Sequence, residues 1–275
     1  IPESRFHADS EILNRILISI DFQKLSTRST GFVDIPQTNF DSPPDTGFIL
    51  QQLGSIAHLL SRFPELPGVP EIEAALTPYL IASARAVATG GFHTPNHRWV
   101  ITSGLSLVHA LHPDELLLNT IESYLAEGID LNPDGEYSER SAGGYNAACN
   151  HSIIFISEAL NRPELLDYVR RNLKNMLTLM RPDWTIITTL SRRQDKGQRR
   201  IPVGVMDSFY YMAKKDDSEA FCAAAHALFK RGGQSNIYLI YQFVMHPEWK
   251  NKPLKAGQIE NSFSRHLLNS GVWRV

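Results

Sequence analysis

The feature that most constrains the fold is a long succession of segments with a helical hydrophobic period. In these segments apolar residues recur three and four positions apart, which places them on one face of an α-helix. The segments are residues 11–25, 46–63, 71–89, 95–111, 113–127, 143–160, 163–180, 203–214, 218–231 and 236–245. Short connections make successive helices antiparallel. The sequence therefore predicts an all-α fold built from antiparallel helical hairpins.

The connections between these helices alternate in character. Short and plain connections are found at 64–70, 112 and 161–162, and longer polar ones at 26–45, 90–94, 130–142 and 183–202. Alternate connections of an antiparallel array lie at the same end. We therefore expect the polar stretches to share one face, each just before a helix. Residues 184–190 are β-branched and aromatic, which predicts a short strand in a small β-hairpin insertion with the basic tract that follows.

Composition and charge exclude several function classes. The formal net charge of −2 provides no overall basic field for nucleic acid. The chain lacks a run of about 18 apolar residues, so no membrane span is expected. Two cysteines, Cys149 and Cys222, are too few for a disulfide scaffold or a zinc site, and no metal site is predicted. Because the chain starts at Ile1 without a methionine, we expect a processed form or a fragment, in which an export signal would not be visible.

The segment 93–99 concentrates polar and aromatic side chains at a helix start. Thr94 suits the N-cap, and Pro95 suits the first helical position, where its missing N–H has no partner to lose. Asn96 and His97 then lie in the first turn, where the helix dipole favours a nearby anion and disfavours a protonated imidazole. A neutral histidine beside an anion-binding helix end suits a general base. The alternative, a capped helix start with polar residues, stays open.

The shared polar face would combine carboxylates, guanidinium groups, amides and aromatic rings. This mixture is typical of sites for a partly anionic oligosaccharide, because arginines bind carboxylates and aromatic faces contact sugar rings. The candidate binding residues are Asn39, Asp45, His93, Arg98, Trp99, Tyr137, Glu139, Arg140, Asn146, Arg192, Arg193 and Gln194. Structural alternatives stay open for several of them: Trp99 could fill the core, and the arginines of 192–200 could form a solvated hairpin. Asn150-His151 repeats the Asn-His pair in mid-helix, which favours a buried structural histidine.

Two motifs carry a resemblance to a known family. Asn96-His97 opens an inner helix, and Tyr145 follows about 50 residues later, behind the loop Asp134-Gly135-Glu136-Tyr137-Ser138-Glu139. This arrangement resembles the heparinase II/III-type and alginate-lyase-type polysaccharide lyases over residues 90–150. The resemblance implies an (α/α) toroid, incomplete here, with Asn96, His97 and Tyr145 as catalytic residues. The family also has a later catalytic or metal-binding histidine, which neither His226 nor His246 matches by motif.

The resemblance also implies a domain organisation and a location. Residues 1–265 would form the toroid, and residues 266–275 would begin a β-sandwich domain. No cofactor is expected, although a structural divalent metal in that further domain stays open. Enzymes of this type are commonly periplasmic or secreted in bacteria.

The expected reaction is β-elimination from a uronic acid polymer. An enzyme must remove the C5 proton, neutralise the adjacent carboxylate and protonate the leaving oxygen at C4. His97 and Tyr145 would exchange the protons, while Asn96 and an arginine would bind the carboxylate. As a base, Tyr145 would need nearby positive charge, for which Arg140 and the Arg192-Arg193 pair are candidates.

Two other functions stay open at this stage. A glycoside hydrolase on the same helical scaffold would need a pair of carboxylates. The candidates for that pair are Asp41, Asp134, Glu136, Glu139 and Asp207. A non-catalytic glycan-binding protein would keep the aromatic residues and arginines, but it would not need His97 and Tyr145 together. For the lyase, the expected partner is an acidic poly- or oligosaccharide.

Overall fold

The computed structural model describes residues 4–191, 193, 195–252, 257 and 264–274. In these residues it contains ten α-helices and two antiparallel β-hairpins, so the prediction of a mostly helical, all-α protein is confirmed. None of the helices described here is both long and apolar enough to cross a membrane. The chain divides into two compact units, one ending at Ala126 and the other beginning at Glu127.

The first unit contains five α-helices and one β-hairpin within residues 4–126. They are α1 (Ser10–Leu25), β1 (Val33–Ile35), β2 (Asn39–Ser42), α2 (Pro43–Leu60), α3 (Val69–Ala88), α4 (Pro95–Leu111) and α5 (Glu115–Ala126). The helix predicted to begin at residue 46 begins at Pro43, because Ser42 is its N-cap and Pro43 and Pro44 occupy its first positions. The hairpin β1–β2 lies in the stretch 26–45, which the sequence indicated only as a polar connection between helices.

Helices α2 and α4 are parallel and lie unusually close together. A Cβ added to Gly47 would lie 2.8 Å from Ile101 Cγ1, and one added to Gly54 would lie 3.1 Å from Leu107 Cβ. Contacts therefore advance along both helices in the same direction. The glycines leave room for the neighbouring helix. Because the two helices run in the same direction, their N-terminal ends lie side by side.

Helix α4 is the central helix of the first unit. All residues from Arg98 to Val108 are buried. Its hydroxyl groups are satisfied within the helix: Thr102 donates to the Arg98 carbonyl at 2.7 Å, and Ser106 donates to the Thr102 carbonyl at 2.7 Å. A helix buried on all sides can therefore hold polar residues without leaving their hydroxyls unpaired.

The histidine that joins these two helices predicts a pH dependence of stability. His58 Nε2–H donates to the Leu107 carbonyl at 2.8 Å, and burial lowers the pKa of His58 despite this bond. In the unfolded chain the group titrates near its ordinary value of 6.5. As the pH falls, the unfolded state therefore takes up the proton first, and the free energy of unfolding decreases below pH 6.5.

Urea unfolding on both sides of that pH measures the effect. A His58→Gln variant keeps a donor for the Leu107 carbonyl but cannot titrate, so its stability should depend less on pH. Burial also lowers the pKa of His246 in the second unit, so this residue too reduces the free energy of unfolding as the pH falls. Because His246 is present in both the parent and the variant, the difference between them reports on His58. Equal pH dependence in the variant and the parent would contradict this role of His58.

The second unit also contains five α-helices and one β-hairpin among its described residues. They are α6 (Tyr145–Ala159), α7 (Leu166–Leu179), α8 (Met206–Asp216), α9 (Glu219–Phe229), α10 (Ile237–Met245), β3 (Arg265–Leu267) and β4 (Val272–Arg274). Short 3₁₀ helices are Pro163–Leu165, Val203–Val205, Gly233–Ser235 and Pro247–Asn251.

No full strand forms at residues 184–190, and the predicted hairpin with the basic tract is reduced to an antiparallel bridge between Ile186 and Arg200. Of these residues, Ile186 forms isolated bridges with Met180 and Arg200, and the segment otherwise turns. Asp183 accepts from the Thr185 N–H at 3.0 Å, and Trp184 between them has a φ of 70°. A local Asx turn thus overrides the β propensity of the sequence.

The alternate helices of the second unit are parallel as well. His151 of α6 lies 3.4 Å from the Asp207 carboxylate of α8, and farther along both helices Tyr211 donates to Glu158. Asn236, the N-cap of α10, donates to Asp207 at 3.0 Å. These contacts place the middle of α6 beside the N-terminal ends of α8 and α10. They also show that Glu158, Asp207 and His151 connect neighbouring helices, although His151 is partly exposed rather than buried as expected.

Candidate functional site

The start of α4 is built as the sequence predicts. Pro95 is the first helical residue, and Thr94 precedes it in an extended conformation. The Thr94 hydroxyl accepts from Asn96 Nδ2 at 2.9 Å, and its carbonyl accepts from the His97 N–H at 3.0 Å. The Asn96 side chain is buried, whereas His97 remains partly exposed. The helix start thus fixes the amide and leaves part of the imidazole accessible.

Aromatic rings fix the orientation of His97. The ring of Phe48, from α2, lies 6.1 Å from the imidazole centroid and nearly perpendicular to it. His93 makes a similar edge contact at 6.2 Å and is itself exposed. His93 and His97 are therefore the two imidazoles of this helix start that solvent, and hence a ligand, can reach.

Two predicted binding residues of the same segment belong to the core. Trp99 is fully buried, and Arg98 is only 7% exposed. The Arg98 guanidinium lies 4.3 Å from the Trp99 ring centroid and 5.9 Å from that of Phe92. Because the Trp99 ring has no exposed surface, it cannot serve as a platform for a sugar ring. This corrects its assignment as a binding residue in favour of the core alternative.

Asn39 and Asp45 stabilise the start of α2. Asn39 Nδ2 donates to Ser42 Oγ at 2.8 Å, and Ser42 in turn donates to the Asp45 carboxylate. Both Asn39 and Asp45 are partly exposed. A Cβ on Gly90 would meet the ring of Pro43, so the stretches 26–45 and 90–94 meet at one end of the first unit. This is the arrangement that the topology predicts for these two stretches.

In the second unit, Tyr137 supports a loop from inside. It is 1% exposed, and its hydroxyl donates to Asn150 Oδ1 at 3.0 Å. Asn150 donates to Asn172 at 2.9 Å, and Asn172 donates to the Gly135 carbonyl at 2.9 Å. Burial raises the pKa of Tyr137 well above its usual value. The hydroxyl is thus a buried structural donor, which corrects the assignment of Tyr137 as a substrate contact.

Tyr145, Arg193 and Glu139 form a cluster at the start of α6. The Arg193 guanidinium carbon lies 5.0 Å from the Tyr145 ring centroid, and Arg193 Nε lies 3.3 Å from a carboxylate oxygen of Glu139. Glu139 is buried, while Tyr145 and Arg193 are partly exposed. The positive charge that the sequence analysis required beside Tyr145 is therefore present. A partly exposed phenol faces a cation whose orientation is set by a buried carboxylate.

Arg140 and Asn146 complete the described part of this loop. Arg140 donates to the Ser270 carbonyl at 2.7 Å and lies 3.1 Å from Glu136, so it ties the loop to the β3–β4 hairpin. Its φ of 54° is unusual for a residue other than glycine. Asn146 is buried in the first turn of α6. The remaining candidates, Arg192 and Gln194, lie outside the described residues.

Sequence reasoning missed the function of Asp195 in this cluster. Asp195 is 2% exposed, and its carboxylate accepts from Ser141 Oγ at 3.0 Å, from the Gly143 N–H at 2.9 Å and from Ser191 Oγ. Two of these partners are more than 50 residues away in the chain. A local pattern in the sequence cannot reveal such a contact.

The carboxylates proposed for a hydrolase are committed to other contacts. Hydrogen bonds from Ser270 and Asn269 lower the pKa of Asp134, although burial opposes this shift. Asp207 is fully buried against His151, and Glu136 and Glu139 pair with arginines. Asp41 accepts from Thr30 at 2.6 Å. A glycosidase needs one carboxyl group that stays protonated, and the lowered pKa of Asp134 opposes this role for that residue.

Among the described residues, no three His, Cys, Asp or Glu side chains are grouped so that they could hold a metal ion. Comparison of the chain with family models, curated proteins and solved structures found no match.

Proposed function

We propose that this protein is a polysaccharide lyase that cleaves a uronic acid-containing glycan by β-elimination. The observation that carries the proposal is the Arg193 guanidinium, 5.0 Å from the ring centroid of the partly exposed Tyr145 at the first residue of α6. A phenol can act as acid or base, and a neighbouring cation stabilises its ionised form. The same cation can bind the carboxylate of a uronate.

The reaction assigns each group a step. A base removes the proton at C5, and the electron pair forms the C4–C5 double bond as the C4–O bond breaks. The leaving oxygen takes a proton from an acid, so charge and protons balance. In this proposal Tyr145 supplies one of the two proton transfers, and Arg193 stabilises the negative charge that develops on the carboxylate.

The family resemblance adds Asn96 and His97 to the proposed catalytic set. His97 is a partly exposed imidazole at a helix start, which suits the other proton transfer. Asn96 was expected to bind the carboxylate, but its side chain is fully buried and its Nδ2 donates to the Thr94 hydroxyl at 2.9 Å, so its proposed role is to hold the helix start that carries His97. His93, Asn39 and Asp45 remain proposed binding residues, since their side chains are at least partly exposed.

We also propose that the helical hairpins belong to an incomplete (α/α) toroid over residues 1–265. The support is that alternate helices are parallel within each unit: α2 with α4, and α6 with α8 and α10. The division at residue 265, with a β-sandwich beginning at 266–275, stays a prediction.

The test is incubation with a panel of uronic acid polymers: heparan-type, hyaluronan-type, alginate and plant glucuronan. We expect far-ultraviolet absorbance to rise with one of them, because elimination creates a C4–C5 double bond conjugated to the carboxylate. New reducing ends without that absorbance would identify a hydrolase and contradict the proposal. Binding without either signal would identify a glycan-binding protein.

A further inference from the structure

The backbones of Tyr145 and Arg193 are connected to one buried carboxylate by the same kind of link. The Tyr145 N–H donates to Ser141 Oγ at 3.1 Å, and Ser141 Oγ donates to Asp195 at 3.0 Å. The Arg193 N–H donates to Ser191 Oγ at 3.0 Å, and Ser191 Oγ donates to the same oxygen of Asp195. The hydroxyl of Ser141 therefore links Asp195 to the backbone of Tyr145, and that of Ser191 links it to the backbone of Arg193.

The other carboxylate oxygen of Asp195 holds the turn that precedes α6. It accepts from the Gly143 N–H at 2.9 Å. A Cβ at position 143 would lie 2.9 Å from that oxygen and 3.0 Å from Thr188 Cγ2. The glycine therefore allows the approach, and the carboxylate fills the space beside it.

Asp195 lies beneath the surface, unlike the partly exposed Tyr145 and Arg193. It is 2% exposed, while its partners Ser141 and Ser191 are 1% and 2% exposed. A carboxylate so far removed from solvent does not meet a polysaccharide directly. Its hydrogen bonds instead determine where the segment of Arg193 lies relative to the first turn of α6.

We propose that Asp195 is a positioning residue, which holds the Arg193 guanidinium against the Tyr145 ring through the hydroxyls of Ser141 and Ser191. This inference rests on the proposed function for its catalytic consequence, but its structural content can be tested alone. Asp195→Asn is the informative change, because both carboxylate oxygens accept hydrogen bonds and an amide has only one acceptor oxygen. The amide must either turn that oxygen away from the serines or place its NH₂ group against the Gly143 N–H, which displaces the side chain from both serines.

The experiment follows the side-chain NMR signals of Arg193 in arginine-labelled protein, assigned through Arg193→Lys. The Tyr145 ring current should shift these signals upfield, and Tyr145→Leu should abolish the shift. We expect Asp195→Asn to abolish most of it as well. Asp183→Asn is the matched control, since this carboxylate of the same segment contacts Thr185 and Arg199 instead. Arg193 signals that do not move in Asp195→Asn would overturn the proposal.

Turnover measured on the same proteins separates this inference from the proposed function. With a cleaved substrate, Asp195→Asn should lower kcat/KM about tenfold. Adding Asp195→Asn to Arg193→Ala should then cost little more, because both changes remove one interaction. If Asp195→Asn abolishes the upfield shift of the Arg193 signals but the parent protein cleaves no uronan, the positioning role of Asp195 is supported and the lyase proposal is rejected. If Asp195→Asn fails to fold, Ser191→Ala breaks the Arg193 link alone and must displace the same signals.

Discussion

Replacement of Tyr145 by phenylalanine is expected to slow the formation of unsaturated uronate by a factor of about 10² to 10⁴. The variant keeps the ring that contacts Arg193 and removes one oxygen atom, so the loss reports on the hydroxyl. Initial rates give the effect on turnover, and calorimetric titration of the uncleaved polymer gives the effect on binding. We expect binding to persist, since the arginine that meets the carboxylate is unchanged.

Tyr168 provides a matched control for this substitution. It is partly exposed on α7, and the Arg171 guanidinium carbon lies 4.9 Å from its ring centroid, much as Arg193 faces Tyr145. Tyr168→Phe removes the same atom from the same kind of pair and should leave turnover unchanged. If the two variants lose activity equally, or if both Tyr145→Phe and His97→Gln retain it, the catalytic assignment is wrong.

Replacement of Gly135 by alanine is expected to destabilise the second unit by about 3 kcal/mol or more. Gly135 has a φ of +84°, and a Cβ there would lie 2.3 Å from the Arg171 carbonyl oxygen. The collision is with backbone of α7 and cannot be relieved by a rotamer change. It would also displace the Gly135 carbonyl that accepts from Asn172. Chemical denaturation, followed by tryptophan fluorescence, measures the loss.

Gly128 separates the two contributions to this effect. Its φ is +80°, but within the described residues no heavy atom outside its chain neighbours lies within 4 Å of an added Cβ. Gly128→Ala therefore introduces the backbone strain alone, and we expect it to cost about 1 kcal/mol. Equal losses in the two variants would show that the contact with α7 is unimportant.

Local signals explain which parts of the fold could be predicted. Helix α4 was predicted at residues 95–111 and is found there, because Thr94-Pro95 and His112-Pro113 mark its ends in the sequence itself. The hairpin β1–β2 was missed, because its strands are short and irregular in register, and the Asp34 carboxylate accepts from the Asp41 N–H at 2.8 Å within it. A side chain that substitutes for part of the backbone pairing has no periodic signature.

For the candidate site, the sequence indicated which residue types to expect but not which of them are exposed. It identified Tyr145 and a nearby arginine, and the structure places Arg193 beside that ring. It could not distinguish an exposed aromatic residue from a buried one, so Trp99 and Tyr137 were assigned to the ligand although both are core residues. Burial depends on which helices pack together, and that is a property of the tertiary structure.

The loop that bears Glu139 is bound to residues made much later in synthesis. The Asp134 carboxylate accepts from the Ser270 N–H at 2.9 Å, and Arg140 donates to the Ser270 carbonyl at 2.7 Å. These contacts span 136 and 130 residues. On a ribosome, α6 to α10 must therefore emerge before the loop can close. The loop that bears Glu139 can therefore take its final form only after residue 270 has left the ribosome.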